Sequence, residues 1–219
     1  MIPLILRLKK SAHKDIALAQ DLIVGALYEA FNDAVLHGGT SIWRCYKGNR
    51  FSEDVDVYIP KNIAKVDDLF NTLLKRGFNI KKKKVAKNSI FSTLYFERTI
   101  VRFEAIFKKV EGSLKEYETI DGNFITVYTL EPGELVAEKT DAYIRRLKIR
   151  DIYDIFFLLR YVKSNKEVKA KIKKLISNFK KPIDEGDLKV LIFEGLVPSS
   201  EKMINYIRNW SQDGKRETS

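Results

Sequence analysis

Two aspartates stand two residues apart in Glu53-Asp54-Val55-Asp56-Val57-Tyr58-Ile59, a run whose apolar positions alternate. On an extended strand, side chains at i and i+2 leave the same face. Asp54 and Asp56 therefore share one face, while Val55, Val57 and Ile59 share the other. Like charges that close repel unless a cation lies between them. Mg2+, or Mn2+ in its place, favours carboxylate oxygens together with substrate phosphates, so the pair is a candidate metal site. Two such ions activate an attacking hydroxyl and stabilise a leaving pyrophosphate. Taken alone, an Asp-x-Asp pair fits a solvated strand edge equally well.

The preceding turn sharpens the choice. Gly38-Gly39-Thr40-Ser41 falls between an expected strand and an expected helix. Glycines let the backbone approach a phosphate, and a helix amino terminus presents free N–H groups to it. The Thr40 and Ser41 hydroxyls could add hydrogen bonds, which makes Gly38, Gly39, Thr40 and Ser41 the candidate nucleotide-binding residues. The plainer alternative for this turn alone is a tight bend with Thr40 as helix cap.

Together, Gly38 to Ile59 with Arg50-Phe51-Ser52-Glu53-Asp54-Val55-Asp56-Val57 inside it resembles the first motif of the DNA polymerase β-like nucleotidyltransferase superfamily. More narrowly, it is similar to the AbiEii/AbiGii toxin family, in which a Gly-Gly-Thr turn precedes an Arg-Phe-Ser-x-Asp-hydrophobic-Asp strand. That family often carries Lys before the two glycines, where this chain has His37, an imidazole we expect to be structural. The resemblance implies a third acidic residue on a neighbouring strand. Glu104, in Val101-Arg102-Phe103-Glu104-Ala105, alternates away from the apolar positions and is the candidate third metal ligand. An ion pair with Arg102 is the alternative for it.

A second block, Glu138-Lys139-Thr140-Asp141-Ala142-Tyr143, Arg146 and Arg150-Asp151-Ile152-Tyr153-Asp154, resembles the family's Glu-Lys helix and the Arg-Asp-x-x-Asp segment that follows it. At helical spacing, Lys139 and Arg146 fall among Leu135, Ala142 and Tyr143, inside an apolar stripe. Cations there need partners or a polar cleft, and Asp151 and Asp154 are the natural partners. An ion-pair network locking two helices is one reading. The resemblance implies the other, in which Lys139 is a catalytic phosphate ligand and Asp151 a catalytic partner to it.

The surrounding pattern supplies the elements that position these groups. Apolar spacing predicts a helix over 12–32, a short strand over 34–37, a helix over 40–46, a strand over 54–59 and a helix over 63–76. Strands are expected over 78–84, 90–97, 100–107 and 124–127, and helices over 132–148, 150–163, 167–179 and 199–211. The fold class expected is α+β: a polymerase β-like nucleotidyltransferase core with a mixed sheet over 1–129, a helical domain over 130–213 that closes the cleft, and a tail over 214–219.

The net charge of +11, from 40 basic and 29 acidic residues, favours polyanions over small cationic acceptors. Lys81 to Lys84 with Lys87, and a second set from Lys166 to Lys181, form either solvated charge or a track for RNA phosphates. Few aromatic residues interleave with them in the sequence, so base stacking is not expected there. The lone Cys45 suits a reducing cytoplasm. No run approaches the roughly 18 apolar residues of a membrane span. The function expected is Mg-dependent transfer of a nucleotide from NTP to an acceptor hydroxyl, with a tRNA 3′ end favoured. Protein or small-molecule acceptors, and an idle RNA-binding antitoxin-like subunit, are the alternatives. The resemblance further implies a toxin of a toxin–antitoxin or phage-defence pair, with a cognate antitoxin as partner.

Overall fold

The computed structural model describes residues 2–162 and 166–213; the expected tail over 214–219 lies outside them. Two compact units divide the chain, Met1–Leu130 and Glu131–Ser219.

The first unit contains α1 (Leu4–Arg7), α2 (Ser11–Ala30), β1 (Val35–His37), α3 (Gly38–Cys45), β2 (Val55–Ile59), α4 (Ile63–Lys75), β3 (Asn79–Val85), β4 (Ser89–Phe96), β5 (Thr99–Phe107), β6 (Ser113–Glu118) and β7 (Phe124–Thr129). One mixed sheet runs β3-β4-β5-β2-β1-β7-β6. Strand β2 pairs antiparallel with β1 and parallel with β5, which centres it in the sheet. Its pleat buries Val55, Val57 and Ile59 completely and leaves Asp56 and Tyr58 half-buried on the other face. Strand β5 repeats the alternation, burying Val101, Phe103 and Ala105. Ile16, Ala19, Ile23, Ala26 and Leu27 of α2 and Val66, Leu69, Phe70 and Leu73 of α4 are buried as well, at helical spacing. Asn62 caps α4 by accepting from the Lys65 N–H, and Gly77, at φ +88°, follows its end.

The second unit contains α5 (Pro132–Arg146), α6 (Ile149–Leu158), α7 (Lys166–Ser177), a short 3-10 turn at Glu185–Asp187, α8 (Leu188–Leu191) and α9 (Ser200–Asp213). Helix α5 opens with Pro132 and a capping box in which Glu131 and Glu134 satisfy each other's backbone N–H groups. It packs on α6 and α7, and α9 packs on α6 and α7 in turn. Among the described residues, no helix is long and apolar enough to cross a membrane.

Several elements depart from the sequence reading: the 3-10 turn and α8 form where no helix is expected, and α6 ends at Leu158 rather than 163. Strand β6 forms where no strand is expected, α1 precedes the first expected helix, and β7 runs two residues further than 124–127. Strand β6, Ser-Leu-Lys-Glu-Tyr-Glu, is an edge strand pairing only with β7, so its exposed residues carry no apolar alternation to read.

Candidate active site

The carboxylates gather on the open face of the central strands. Asp56 of β2 and Glu104 of β5 are direct register partners in the parallel pair, so their side chains stand side by side. Asp54 precedes β2 by one residue and is half-buried. Burial pushes the Glu104 carboxyl above its ordinary value, and the neighbouring Asp56 and Asp54 carboxylates push it further, against Arg102 and His37. The cluster thus concentrates negative charge on this face.

Arg102, two residues before Glu104 on the same face, is committed to Asp54 rather than to Glu104. Its Nε and Nη2 donate to Oδ1 and Oδ2 of Asp54, both at 2.7 Å. Among the described residues, no three His, Cys, Asp or Glu side chains converge as a ready-made metal cage. The donor set nevertheless fits a divalent cation. Three oxygen-bearing side chains share one face, and Asp56 and Asp54 add to the burial that raises the Glu104 carboxyl, a repulsion that such a cation would relieve.

The Gly-Gly turn packs directly on this cluster. Gly38 has φ +70°, in the left-handed region, and a Cβ there would collide with the Asp56 carboxylate, whose Cγ would lie at 2.9 Å. A Cβ on Gly39 would strike Ser52 Oγ and come within 2.6 Å of Arg50 Nη2. The two glycines therefore let the Arg50-Phe51-Ser52 segment and Asp56 close on the start of α3, which gives that spacing a steric cause. Arg50 is buried and donates to the Phe51 carbonyl at 2.9 Å, while Phe51 stacks on His13 with ring centroids 3.9 Å apart.

The hydroxyls of this turn behave differently from the sequence expectation. Thr40 Oγ1 donates to the Asp54 carbonyl, and Ser41 Oγ meets Thr129 Oγ1; both side chains are buried. Thr40 and Ser41 thus spend their hydroxyls holding β2 and β7, because the first turn of α3 rotates them inward. What remains for a phosphate is the backbone N–H groups at the amino terminus of α3. His37 is half-buried and stacks on Tyr58 at 4.1 Å.

Gln20 of α2, which periodicity alone reads as one more helix position, is completely buried and donates from Nε2 to the Ser52 carbonyl at 2.9 Å. Asp21 follows it, pairing with the buried Arg44 guanidinium while accepting from Tyr117 OH at 3.0 Å and the Ile120 N–H at 2.7 Å. The sequence signal for this network is an arginine inside the otherwise apolar Ile42-Trp43-Arg44 stretch.

The second unit holds its own ion-pair network. Lys139 is 7% exposed, with Nζ at 2.8 Å from Asp154 Oδ2 and 3.9 Å from Asp151 Oδ1. Asp151 is fully buried, and both its oxygens accept from Arg146, at 2.7 Å each. Asp151 thus carries no solvent exposure and is held between Arg146 and Lys139. Arg146 lies at the rim of the stripe rather than inside it, with a side chain 42% exposed.

The family model described as nucleotidyl transferase AbiEii toxin of type IV toxin–antitoxin systems matches residues 21–192. No curated protein matches the sequence. Among solved structures, JHP933 from Helicobacter pylori superposes with a TM-score of 0.65 at 18% identity, over 95% of this chain and 94% of that one. A nucleotidyltransferase toxin from Mycobacterium tuberculosis, MenT4, gives 0.59 at 17% identity, over 92% and 89%. At these identities the likeness is one of fold.

Proposed function

The chain belongs to the AbiEii nucleotidyl transferase toxin family, and we propose that it transfers a nucleotide from an NTP to a hydroxyl at a tRNA 3′ end. The observation that supports this most is the pairing of Asp56 with Glu104 beside Asp54, closed over by Gly38.

In this reading Asp54, Asp56 and Glu104 would hold Mg2+, or Mn2+. Bound there, it would supply charge neutralisation for the NTP phosphates and for the acceptor hydroxyl as it loses its proton. The backbone N–H groups from Gly38 to Ser41 bind and orient the triphosphate. The acceptor oxygen bonds to the α-phosphorus, the bond to the β-phosphate oxygen breaks, and pyrophosphate leaves. Glu104, on the strand beside Asp56, takes the hydroxyl proton. Lys139 serves as a phosphate ligand, with Asp151 and Asp154 holding its ammonium in place beforehand.

The +11 charge and the toxin family support a polyanionic acceptor, a cytoplasmic setting and a neutralising antitoxin partner. The test is incubation of the protein with total tRNA, Mg2+ and each α-labelled NTP in turn, beside Asp54→Asn. Label in tRNA with one nucleotide, lost in the variant, supports the reading. Label on protein or a small molecule alone overturns the acceptor. RNA binding without any transfer overturns the enzyme in favour of an idle, antitoxin-like subunit.

A further inference from the structure

The face of the sheet that carries the carboxylates continues past them to the β3 edge, and cross-strand register sets its residues in rows. One row reads Lys84 on β3, Phe91 on β4, Glu104 on β5, Asp56 on β2 and His37 on β1. The next reads Lys82, Thr93 and Arg102, with Arg102 reaching Asp54. From Asp56 to Lys84 is three strand spacings, about 14 Å.

This stretch is basic and aromatic together. Lys81, Lys82 and Lys84 are exposed, while Phe91 and Tyr95 are half-buried. Lys81 Nζ lies 5.1 Å from the centre of the Tyr95 ring and Lys82 Nζ 5.3 Å from that of Phe91. The register shift between Ile80 and Lys82 brings this about, setting Lys82 opposite Thr93 on the open face. Lys83 points the other way, over Phe70 and onto Asp67 of α4. The aromatic partners missing from the linear sequence around the lysines come from the neighbouring strand.

We propose that this surface seats the acceptor: an unpaired RNA strand that runs from the carboxylates across β5 and β4 to the β3 edge. Its phosphates meet Lys81, Lys82 and Lys84, and its bases stack on Phe91 and Tyr95. Charge complementarity selects a polyanion, and the ring faces select one with bases. A lysine over a half-buried ring is held more weakly than a stacked base, so each base displaces an ammonium that then turns to the phosphate beside it. A sheet face with aromatic side chains suits single strands, whose bases are free to splay onto it. The proposal rests on the reading that the acceptor is RNA, and it adds where the strand lies.

The test is fluorescence-anisotropy titration of the full chain with a short labelled single-stranded RNA of mixed sequence, over a series of salt concentrations and without NTP. Changing Lys81, Lys82 and Lys84 together to Ala should reduce the slope of log affinity against log salt by about two, at ~0.7 per phosphate contact. Changing Phe91 and Tyr95 to Leu should weaken binding about tenfold or more with the slope unchanged. A control with Lys75, Lys189 and Lys202 changed to Ala removes the same charge from exposed positions outside both lysine sets and should leave affinity near that of the parent. An unchanged slope in the β3 variant, an equal loss in the control, equal affinity for the same RNA as a duplex, or preference for polyglutamate would each overturn the surface. Transfer assays keep the two readings apart. Binding lost with the β3 lysines while no nucleotide is ever transferred to RNA upholds the surface and refutes the acceptor reading. Transfer to RNA with KM for RNA unmoved by the variants does the reverse.

Discussion

Replacing Glu104 by Gln should make the cation-free protein more stable while removing its response to Mg2+. Asp56 and Glu104 stand on adjacent parallel strands, about 4.8 Å apart, on a half-buried face. Two unit charges at that distance repel by about 3.5 kcal/mol at an effective dielectric near 20. Both groups reach solvent, so screening reduces this to about 1 kcal/mol. The upward displacement of the Glu104 carboxyl, by burial first and then by Asp56 and Asp54, has the matching sign. Urea unfolding in EDTA should therefore show Glu104→Gln more stable than the parent by about 1 kcal/mol. Adding Mg2+ at about a hundred times its dissociation constant should stabilise the parent by about 2.7 kcal/mol through linkage, and the variant by clearly less. If the variant is less stable than the parent in EDTA, or if Mg2+ shifts both midpoints equally, the carboxylates are not a cation site in waiting.

Other substitutions test other parts of the account. Gly38→Ala should cost about 1–2 kcal/mol of stability from its positive φ, and because its Cβ collides with Asp56 it should also lower turnover at least about tenfold, read as initial rate against urea midpoint. Asp21→Ala should cost about 3–5 kcal/mol by stranding the buried Arg44 guanidinium, with the transfer rate of the folded fraction unchanged; a small cost would contradict the buried network. Lys139→Met alone should be strongly destabilising, whereas combining it with Asp154→Asn should recover much of the loss. The recovered double variant should still show a raised KM for NTP; normal kinetics would leave Lys139 a purely structural ion pair.

The parts of the site readable from sequence are those set by local period. Two-residue alternation places Asp54 with Asp56, and Glu104 on the polar face of its own strand, because the pleat is a property of each strand alone. Which strands are neighbours is not local. Strand β5 inserts beside β2 only after the β3–β4 hairpin has been passed, so sequence spacing does not show that Glu104 abuts Asp56 or that Arg102 reaches Asp54. The inward turn of the Thr40 and Ser41 hydroxyls depends on β2 and β7 lying beneath α3. Buried polar groups such as Gln20 and Arg44 break the apolar pattern without naming their partners, which are 32 residues distant for the Ser52 carbonyl and 23 for Asp21.

The central claim is that a nucleotidyl group, rather than a terminal phosphoryl group, moves to the acceptor. The most direct measurement compares α-labelled with γ-labelled NTP in the same reaction with tRNA and Mg2+, for the parent and for Asp56→Asn. The account predicts that α-label becomes covalently fixed in RNA while γ-label is released as pyrophosphate, and that both events stop in the variant. Label from the γ position on RNA, or equal transfer by Asp56→Asn, would contradict it.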